Sequence, residues 1–359
     1  MNKIAELISR LCPDGVEFKT LDSLVSYVQP GPYIVSSTEY DTHYSTPVLT
    51  AGQSFILGYT NEEEGIYNAS SQKPVIIFDD FTTSFHWVDF DFKVKSSALK
   101  ILKIKDKQEA DFRYIYMAMK TIHFIPTNHM RHWISLYSKF EIPLPPLNIQ
   151  KKIVSILDSF TSLIDKMKQE VEMRKKQMEY YLNILICKDN VAARLFGDIG
   201  VVQRGKRVVR KELALQGCIP VFQNSLTPLG YYQYSNIPAN NTFIISAGTA
   251  GEIGFSAKPF WAADDCLVIS SVLCDSKYLY YYLKTQEQFL KSQIRGGAMK
   301  RLSRETIEKL EIPVPSLEKQ RQIASILDSF ETYISKLEKM IELRQKQYEY
   351  YREKLLTFE

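Results

Sequence analysis

One long segment occurs twice in the chain, and it constrains the fold more than any other feature. Residues 141–186 and 311–356 align without a gap at a constant offset of 170 residues, and about half of the aligned positions are identical. A run of this length does not recur by chance. The chain therefore contains an internal duplication.

Each copy predicts one long helix after an extended entry. Both copies begin with Pro-x-Pro, at Pro143 and Pro145 and again at Pro313 and Pro315. Proline holds the residue before it in an extended conformation, so a helix can begin only beyond these positions. There, apolar residues recur every seven positions, which is the pattern of a coiled coil. The predicted seam residues are Leu157, Ile164, Val171, Met178 and Leu185 in the first copy and Leu327, Ile334, Ile341, Tyr348 and Leu355 in the second.

Two interpretations fit this apolar stripe. Each helix could pack on its own domain, or the two repeated helices could pair with each other. We favour the paired coiled coil, because the helices match in pattern and are longer than a small domain requires. Arg174 and Arg344 occupy a second row of the seam, and we expect them to fix the register of the pair or to face a partner.

Composition is that of a globular protein with room for two ordinary domains. The chain has 359 residues, of which 45% are hydrophobic and 24% are charged, and its net charge of +4 does not by itself indicate a nucleic-acid binder. No apolar run approaches the ~18 residues of a membrane span, so we expect a soluble, cytoplasmic protein. The cysteines show no Cys-x-x-Cys spacing, which favours reduced thiols over disulfides or a zinc site.

The block before each repeated helix shows the same order of predicted elements. The first block has strand-like runs at 33–35, 47–50, 54–59, 75–78 and 98–104, then a helix at 111–122 and a loop at 125–137. Residues 192–310 repeat this order loosely, and the clearest echo pairs residues 111–120 with 275–284. The sequence therefore predicts an α+β chain in the order domain, helix, domain, helix.

One stretch matches a catalytic pattern of metal-dependent nucleases. It comprises Asp14, Glu17 and Lys19. In those enzymes the carboxylates come from different strands that converge on a metal ion, and two intervening residues leave no room for the connecting turn. We interpret the stretch as a turn followed by a strand and keep a self-contained nuclease as an alternative hypothesis.

Other candidate centres are incomplete. His123, His129 and His132 lack a carboxylate or thiol at a suitable spacing for a metal site. The glycine-rich residues 248–254 lack the order of a nucleotide-binding loop and predict a tight connection between two strands. The chain has neither a Walker A loop nor an Asn/Asp-Pro-Pro-aromatic tetrapeptide. We therefore predict no catalytic residue, no metal and no cofactor in this chain.

Binding residues are the remaining signal. In the second block, two stretches concentrate cations among small residues, which suits contacts to phosphates. They contribute the candidate DNA-binding residues Arg204, Lys206, Arg207, Arg210, Lys211, Arg295, Lys300, Arg301 and Arg304. At the matching place in the first block, which the 170-residue offset locates, the candidates are Asn128, His129, Arg131, His132 and Trp133. A solvated charged surface is the alternative interpretation. Aromatic clusters at 81–87 and 231–236 could reach bases, although such clusters more often belong to cores.

The repeated entry and helix carry a family resemblance. Ile-Pro-hydrophobic-Pro, followed by a glutamine and by Ile-Leu-Asp, precedes a long helix twice, each time after a β-rich block. This arrangement resembles the specificity subunit of Type I restriction-modification systems over essentially the whole chain. The resemblance implies two β-rich target recognition domains joined by two long helices that form an antiparallel coiled coil. The implied bounds are 1–148 and 188–318 for the two domains, and 149–187 and 319–359 for the two spacer helices.

The resemblance also implies a function and its partners. In this family each domain reads one half of a split DNA sequence, and the subunit itself is not catalytic. The implied partners are double-stranded DNA, two modification subunits that methylate adenine with S-adenosylmethionine, and restriction subunits that use ATP and Mg. No membrane is involved. A coiled-coil structural protein without nucleic-acid function is the third hypothesis.

The paired helices can serve as a ruler between two half-sites. Half-sites on one face of DNA lie ~34–36 Å apart, and about 35 helical residues span on the order of 50 Å. The first block has fewer cations than the second. We therefore expect its half-site to be bound mainly through polar contacts or to be read more weakly.

Overall fold

The chain forms two compact units. The computed structural model describes residues 6, 10, 12–13, 15–50, 52, 54–126, 130–187, 191–294 and 301–358. Unit 1 comprises residues 1–166 and 341–359, and unit 2 comprises residues 167–340. Among the helices in the described ranges, none is both long enough and apolar enough to cross a membrane.

Within the described residues unit 1 contains nine strands, with three short α-helices between the first strand and the last. The strands are β1 (Phe18–Thr20), β2 (Val25–Val28), β3 (Thr46–Leu49), β4 (Ile56–Thr60), β5 (Val75–Asp79), β6 (Phe85–Val88), β7 (Lys93–Val94), β8 (Leu99–Ile104) and β9 (Glu141–Pro143). The helices are α1 (Leu21–Leu24), α2 (Phe112–Met119) and α3 (His132–Ser135). Short 3-10 helices lie at Gly31–Tyr33 and Tyr137–Lys139.

Two long helices follow the two β-rich blocks. They are α4 (Leu147–Cys187), of 41 residues, and a second of 40 residues at Leu317–Leu356. At 1.5 Å per residue each is about 60 Å long. The domain bounds given above remain predictions.

Unit 2 repeats the element order of unit 1. Its strands are β10 (Ala193–Leu195), β11 (Gly200–Arg204), β12 (Ile219–Phe222), β13 (Gly230–Tyr232), β14 (Asn241–Ile245), β15 (Ile253–Ser256), β16 (Trp261–Ala262), β17 (Cys266–Ser271) and β18 (Glu311–Pro313). Its helices are α5 (Phe196–Ile199), α6 (Ser276–Thr285), α7 (Glu287–Ser292) and α8 (Arg304–Glu308), with a 3-10 helix at Arg210–Glu212. The helix at Leu317–Leu356 is α9.

The two units share one sheet topology. The four-stranded sheets have the orders β2-β8-β5-β6 and β11-β17-β14-β15, and the three-stranded sheets have the orders β4-β3-β7 and β13-β12-β16. In both three-stranded sheets the last pair is parallel, β3 with β7 and β12 with β16. The Pro-x-Pro entries form the two-stranded pairs β1-β9 and β10-β18. The duplication predicted from the sequence therefore extends to every strand of the two units.

In each four-stranded sheet one inner strand, β5 or β14, is buried on both faces. In β5, Ile76 and Phe78 pack in a core that also includes α2, whereas Val75 and Ile77 pack in a core with the three-stranded sheet. This alternation follows from the two-residue period of a strand. A run of β-branched and aromatic residues suits such a position, because neither face meets water.

The long helices pair antiparallel within each unit. In unit 1 the Phe160 and Tyr351 rings lie 5.5 Å apart, and in unit 2 the Tyr181 and Phe330 rings lie 5.6 Å apart. These pairs are equivalent under the 170-residue offset, with the two helices exchanged, as antiparallel pairing of repeated helices requires. The seam residues are buried or half-buried in both helices. The antiparallel coiled coil is therefore confirmed.

Two local predictions were wrong. Residues 33–35 do not form a strand, because Pro30, Gly31 and Pro32 favour the 3-10 helix that ends at Tyr33. The stretch 125–137 is not only a loop, since it contains α3 and the start of a 3-10 helix. The tight connection predicted at 248–254 is confirmed, because it joins the antiparallel strands β14 and β15. There Gly248 and Gly251 have positive φ angles of 85° and 87°, a conformation that favours glycine.

Candidate nucleic-acid interface

The first basic stretch of unit 2 begins where β11 ends. Arg204 is exposed, and its Nε donates to the carbonyl oxygen of Asp264 at 2.7 Å. The Lys206 amide donates to the carbonyl oxygen of Ala262 at 2.8 Å. Between them, Gly205 lies so close to this turn that a Cβ would sit 2.1 Å from the Ala263 carbonyl oxygen. Only glycine fits there, so the chain holds both cations at the edge of the 262–265 turn.

The second basic stretch reaches the same turn from the other end of the sequence. Arg301 Nη2 lies 3.1 Å from Asp265 Oδ1, and the Arg301 side chain is 43% exposed. The next amide, Leu302 N–H, donates to the carbonyl oxygen of Ser246 at 2.9 Å. Arg204 and Arg301 are therefore held by adjacent residues of one turn. The structure brings together two basic stretches that are almost 100 residues apart in sequence.

The other described candidate cations of unit 2 are also exposed, and they lie in other segments than this turn. Arg207 lies in an exposed loop, and Arg210 and Lys211 lie on an exposed 3-10 helix. Arg304 begins α8, and its Nε donates to Glu308 Oε1 at 2.6 Å in the same helix. Arg295 and Lys300 lie outside the described residues.

Unit 1 contains the same arrangement in its backbone. The His132 amide donates to the carbonyl oxygen of Asp80 at 2.8 Å, as Leu302 does to Ser246. Asp80 in turn donates its amide to Ala98 at 2.9 Å, as Ser246 does to Asp265 at 2.8 Å. The exposed residue Arg131 therefore occupies in unit 1 the place of Arg301 in unit 2. Asn128 and His129 lie outside the described residues.

A buried ion pair supports this place in unit 1, and the sequence analysis missed it. Lys100 Nζ lies 3.3 Å from Asp80 Oδ2, and both side chains are 1% exposed. Lys100 also donates to Gln29 Oε1 at 3.1 Å, and Asp80 Oδ1 accepts the Trp133 amide at 2.9 Å. A buried pair of this kind fixes geometry more than it adds stability. The signal for it was Lys100, one of two lysines among the apolar residues of β8.

The burial of two candidate residues in unit 1 corrects the sequence analysis. His132 is 6% exposed and Trp133 is 2% exposed. The Trp133 ring packs against Phe78 at 4.9 Å and stacks on Tyr137 at 6.1 Å. The tryptophan therefore belongs to the core and does not offer a ring to a base in this conformation. Burial of this large apolar ring stabilises the folded domain.

The aromatic clusters are also largely structural. The rings of Phe85 and Trp87 pack against Tyr116 of α2 with centroid distances of 5.7 and 5.6 Å, and Asn236 forms two side-chain hydrogen bonds to the backbone of Ala262. Tyr234 is 61% exposed and Phe81 is 36% exposed. Within the two clusters, Tyr234 and Phe81 are therefore the exposed rings that a ligand could reach.

The comparison with protein families decides what this duplicated arrangement is. A family model described as the Type I restriction modification DNA specificity domain matches residues 13–173 and, a second time, residues 189–345. The chain belongs to this family.

Individual relatives of the family match nearly the whole chain. It is 36% identical to the specificity subunit of the Type I restriction enzyme EcoR124I/EcoR124II of Escherichia coli, over 96% of this chain and 95% of the relative. It is 28% identical to a putative type I restriction enzyme specificity subunit of Haemophilus influenzae, over 96% of both chains. The crystal structure of the S subunit of a Type-I restriction-modification system from M. genitalium matches with a TM-score of 0.72 at 18% identity, over 95% of this chain and 96% of that chain. The last similarity shows that the fold is shared.

The alternative nuclease site finds no support in this family or in the geometry. Lys19 lies on β1, where its Nζ hydrogen-bonds to Glu109 and lies 3.8 Å from Glu17. The bond to Glu109 raises the pKa of Lys19 above its usual value. Asp14 lies outside the described residues. Within the described residues no group of three or more His, Cys, Asp or Glu side chains is placed to hold a metal ion.

The seam arginines make contacts that differ between the two helices. In unit 2, Arg174 lies 5.3 Å from the centre of the Tyr333 ring of the opposing helix, and Tyr333 Oη donates to Glu170 at 2.8 Å. This hydrogen bond raises the pKa of Tyr333. In unit 1, Arg344 donates to Gln347 at 2.7 Å in its own helix. Arg174 therefore contacts the partner helix, which agrees with a role in register.

Proposed function

We propose that the chain is the DNA-reading subunit of a Type I restriction-modification complex and that each unit reads one half of a split target. The modification subunits would supply S-adenosylmethionine chemistry on adenine, and restriction subunits would supply ATP- and Mg-dependent translocation and cleavage. The chain itself would contribute binding and spacing.

The equivalence of the places that hold Arg131 and Arg301 is the observation that carries this proposal. The four-stranded sheets of the two units have the same topology. In each unit the residue after the arginine donates its amide to the residue that directly follows the inner strand, β5 or β14. The loops beside them differ, since residues 80–84 make a short turn in unit 1 and residues 246–252 make a longer glycine-containing loop in unit 2. One scaffold with two different loop sets suits a target whose two halves are unlike.

The charges at these places suit nucleic acid. Arginine and lysine side chains at a loop surface neutralise phosphates, and short loops with glycine allow the backbone to approach them. Unit 2 offers Arg204, Lys206 and Arg301 around one turn. In unit 1 Arg131 is the described candidate cation at the equivalent place, which agrees with the expectation of weaker or more polar contacts there.

Partly exposed apolar rows on the long helices suit the docking of the modification subunits. Ile326, Tyr333 and Met340 lie at seven-residue intervals on α9 and are 44%, 41% and 48% exposed. On α4, Met173 and Tyr180 lie seven residues apart and are 64% and 62% exposed. Exposed apolar rows of this kind mark protein contacts.

The test is a map of adenine methylation. The chain is co-expressed with its modification subunit, and methylated adenines are located in the host DNA by single-molecule sequencing. We expect methylation at one bipartite motif with two unlike halves, and no such motif when the modification subunit is expressed alone. The same sites methylated without the chain would contradict the proposal. Metal-dependent cleavage by the isolated chain, lost in Glu17→Ala, would favour the nuclease.

A further inference from the structure

A buried glutamine occupies the same position at the start of each long helix. Gln150 and Gln320 are both 0% exposed, and they are equivalent under the 170-residue offset. A side-chain amide that is fully removed from water is costly unless its donors and acceptor are satisfied. The partners of these amides therefore show what the glutamines hold in place.

In unit 1, Gln150 joins three segments of chain. Its Oε1 accepts the amide of Asp111, at the start of α2, at 2.8 Å. Its Nε2 donates to the carbonyl oxygen of Pro145, in the Pro-x-Pro entry, at 2.7 Å and lies 3.5 Å from that of Glu109. One side chain of α4 thus binds both the entry and the first turn of the recognition-domain helix.

In unit 2, Gln320 makes the same contacts. Its Oε1 accepts the amide of Asp275, at the start of α6, at 2.7 Å. Its Nε2 donates to the carbonyl oxygens of Pro315 at 2.8 Å and Leu273 at 3.0 Å. The network is therefore repeated although the domains around it have diverged.

Asp111 and Asp275, whose amides Gln150 and Gln320 accept, make equivalent contacts in the two units. Asp111 and Asp275 each cap the helix that follows, because a carboxylate oxygen accepts the amide three residues on. The capped residues are Tyr114 and Tyr278, whose hydroxyls donate to the carbonyl oxygens of Pro143 at 2.8 Å and Pro313 at 3.0 Å. Burial raises the pKa of Tyr114, so its hydroxyl stays a donor.

We call the contacts around Gln150 and those around Gln320 the two joints. Each joint also contains an ion pair between the capped helix, α2 or α6, and the long helix. Arg113 binds Asp158 at 2.9 Å in unit 1, and Lys277 binds Asp328 at 2.9 Å in unit 2. Asp158 and Asp328 are equivalent in the repeat. Each joint thus links the Pro-x-Pro entry, the capped helix of the recognition domain and the long helix.

We propose that Gln150 and Gln320 are positioning residues for DNA recognition, each of which fixes the orientation of one recognition domain on its long helix. They would not contact DNA. They would act by holding α2 in unit 1 and α6 in unit 2, and with each helix the four-stranded sheet that it packs on, in one orientation. This inference deepens the proposed function, and its first test below does not depend on that function.

The first test measures amide hydrogen exchange in the full-length chain. Gln150→Glu keeps the acceptor for the Asp111 amide but places a carboxylate oxygen against the Pro145 carbonyl oxygen. We expect exchange at residues 111–115 to become about tenfold faster, with no change at residues 275–279. Gln320→Glu should give the opposite pattern. The controls, Gln169→Glu and Gln322→Glu, change exposed glutamines of the same helices and should leave both segments unchanged.

A milder pair of variants covers the case in which a buried glutamate prevents folding. Tyr114→Phe and Tyr278→Phe each remove one hydroxyl from a joint without changing the volume of the core appreciably. Each should accelerate exchange in its own unit alone, by a smaller factor. Unchanged exchange in all four variants, or equal acceleration in both units, would overturn the proposal.

The second test uses the complex with the modification subunit and reads sequence selectivity. On a library of randomised targets, Gln150→Glu should widen the set of bases accepted in one half-site and leave the other half-site unchanged, and Gln320→Glu should do the reverse. Equal loss in both half-sites would show a role in stability alone and would overturn the positioning role. If the unmodified complex shows no chain-dependent methylation, the proposed function fails, and the exchange experiment still decides on the joint.

Discussion

At the scale of single residues, Arg131 and Arg301, at equivalent places in the two units, are the strongest candidates for DNA contact. Arg301 is held by Asp265, and its side chain remains 43% exposed. Arg131 is exposed at the equivalent place in unit 1. An arginine in such a partly fixed position loses less conformational freedom on binding a phosphate than a free side chain would.

Arg131→Gln and Arg301→Gln should each weaken DNA binding without changing the preferred sequence. Each removes one cation, so the slope of log K against log salt concentration should fall by about 1 for each variant. Fluorescence anisotropy of the complex with modification subunits, at four or more salt concentrations, measures this slope. Lys309→Gln, which removes an exposed cation directly after α8, is the control and should leave the slope unchanged. A slope unaltered in both arginine variants would remove these residues from the interface.

Residue types alone could not separate exposed candidates from buried ones. Arg131, His132 and Trp133 are consecutive and all polar or amphipathic, yet only the first is exposed. The difference arises because Asp80, from a distant strand end, binds the amides of the next two residues and turns their side chains inward. This interaction spans about fifty residues of sequence, and no local pattern carries it. The offset between the repeats did locate the structurally equivalent place, since residues 132 and 302 donate matching backbone hydrogen bonds.

At the scale of elements, the long helices were the most predictable part of the chain and the short strands the least. A seven-residue period sustained over five heptads defines a helix almost independently of its surroundings. The strand β5, with four consecutive apolar residues, was also found at its correct place. The run 33–35 was misassigned because three residues of tyrosine and β-branched type read as a strand, while two nearby prolines impose a 3-10 turn.

Deletion of one heptad from both long helices tests their role as a ruler. Removal of residues 168–174 and 338–344, which are equivalent in the repeat, keeps the seam in phase and shortens each helix by about 10 Å. We expect the unread gap between the half-sites to shorten by about 3 base pairs, at 3.4 Å per pair, or recognition to be lost. Methylation mapping of the complex reports the gap.

The matched control for the heptad deletion is a deletion of four residues from the same place in both helices. Four residues do not complete a heptad, so the seam falls out of phase and the pair should be destabilised. Circular dichroism with heating distinguishes this loss of folding from a change of spacing. A heptad-deleted chain that still folds and methylates targets with the original gap would contradict the ruler.

At the scale of the whole molecule, the chain is one scaffold repeated, in which the helices and joints are kept and the reading loops vary. Sequence comparison of the two halves found the helices at once and the domains only through faint echoes. The reason is physical. Seam positions and the joint residues Gln150 and Gln320 are each bound to several fixed partners, whereas a strand needs only an apolar pattern that many sequences supply. The loose repeat of the element order was visible in the sequence, whereas the pairing of the strands in the sheets was recoverable only from the structure.

Because the helices and joints are kept while the loops vary, the second β-rich block should be exchangeable as one segment. Residues 192–310 lie between α4 and the second Pro-x-Pro entry, and the segment includes Asp275 and Tyr278 but not Gln320 or Pro313. Replacing it with the corresponding segment of a family member that has a different target should change one half-site completely and leave the other half-site and the gap unchanged. The incoming segment must supply an aspartate and a tyrosine three residues apart. The aspartate side chain caps the helix whose first amide the retained Gln320 binds, and the tyrosine hydroxyl donates to the carbonyl oxygen of the retained Pro313.

Two chimeras that differ only at this joint make the exchange decisive. The first carries the foreign segment with its aspartate and tyrosine intact, and the second carries the same segment with Asp275→Ala and Tyr278→Phe at the equivalent positions. Both are expressed with the modification subunit, and their methylated sites are mapped. The first should show a new, well-defined half-site, and the second should show a degenerate one, because its domain is no longer held in one orientation on α9. If both chimeras kept the original half-site, residues 192–310 would not read DNA. If both read the new half-site equally well, orientation would be set by other contacts than the joint.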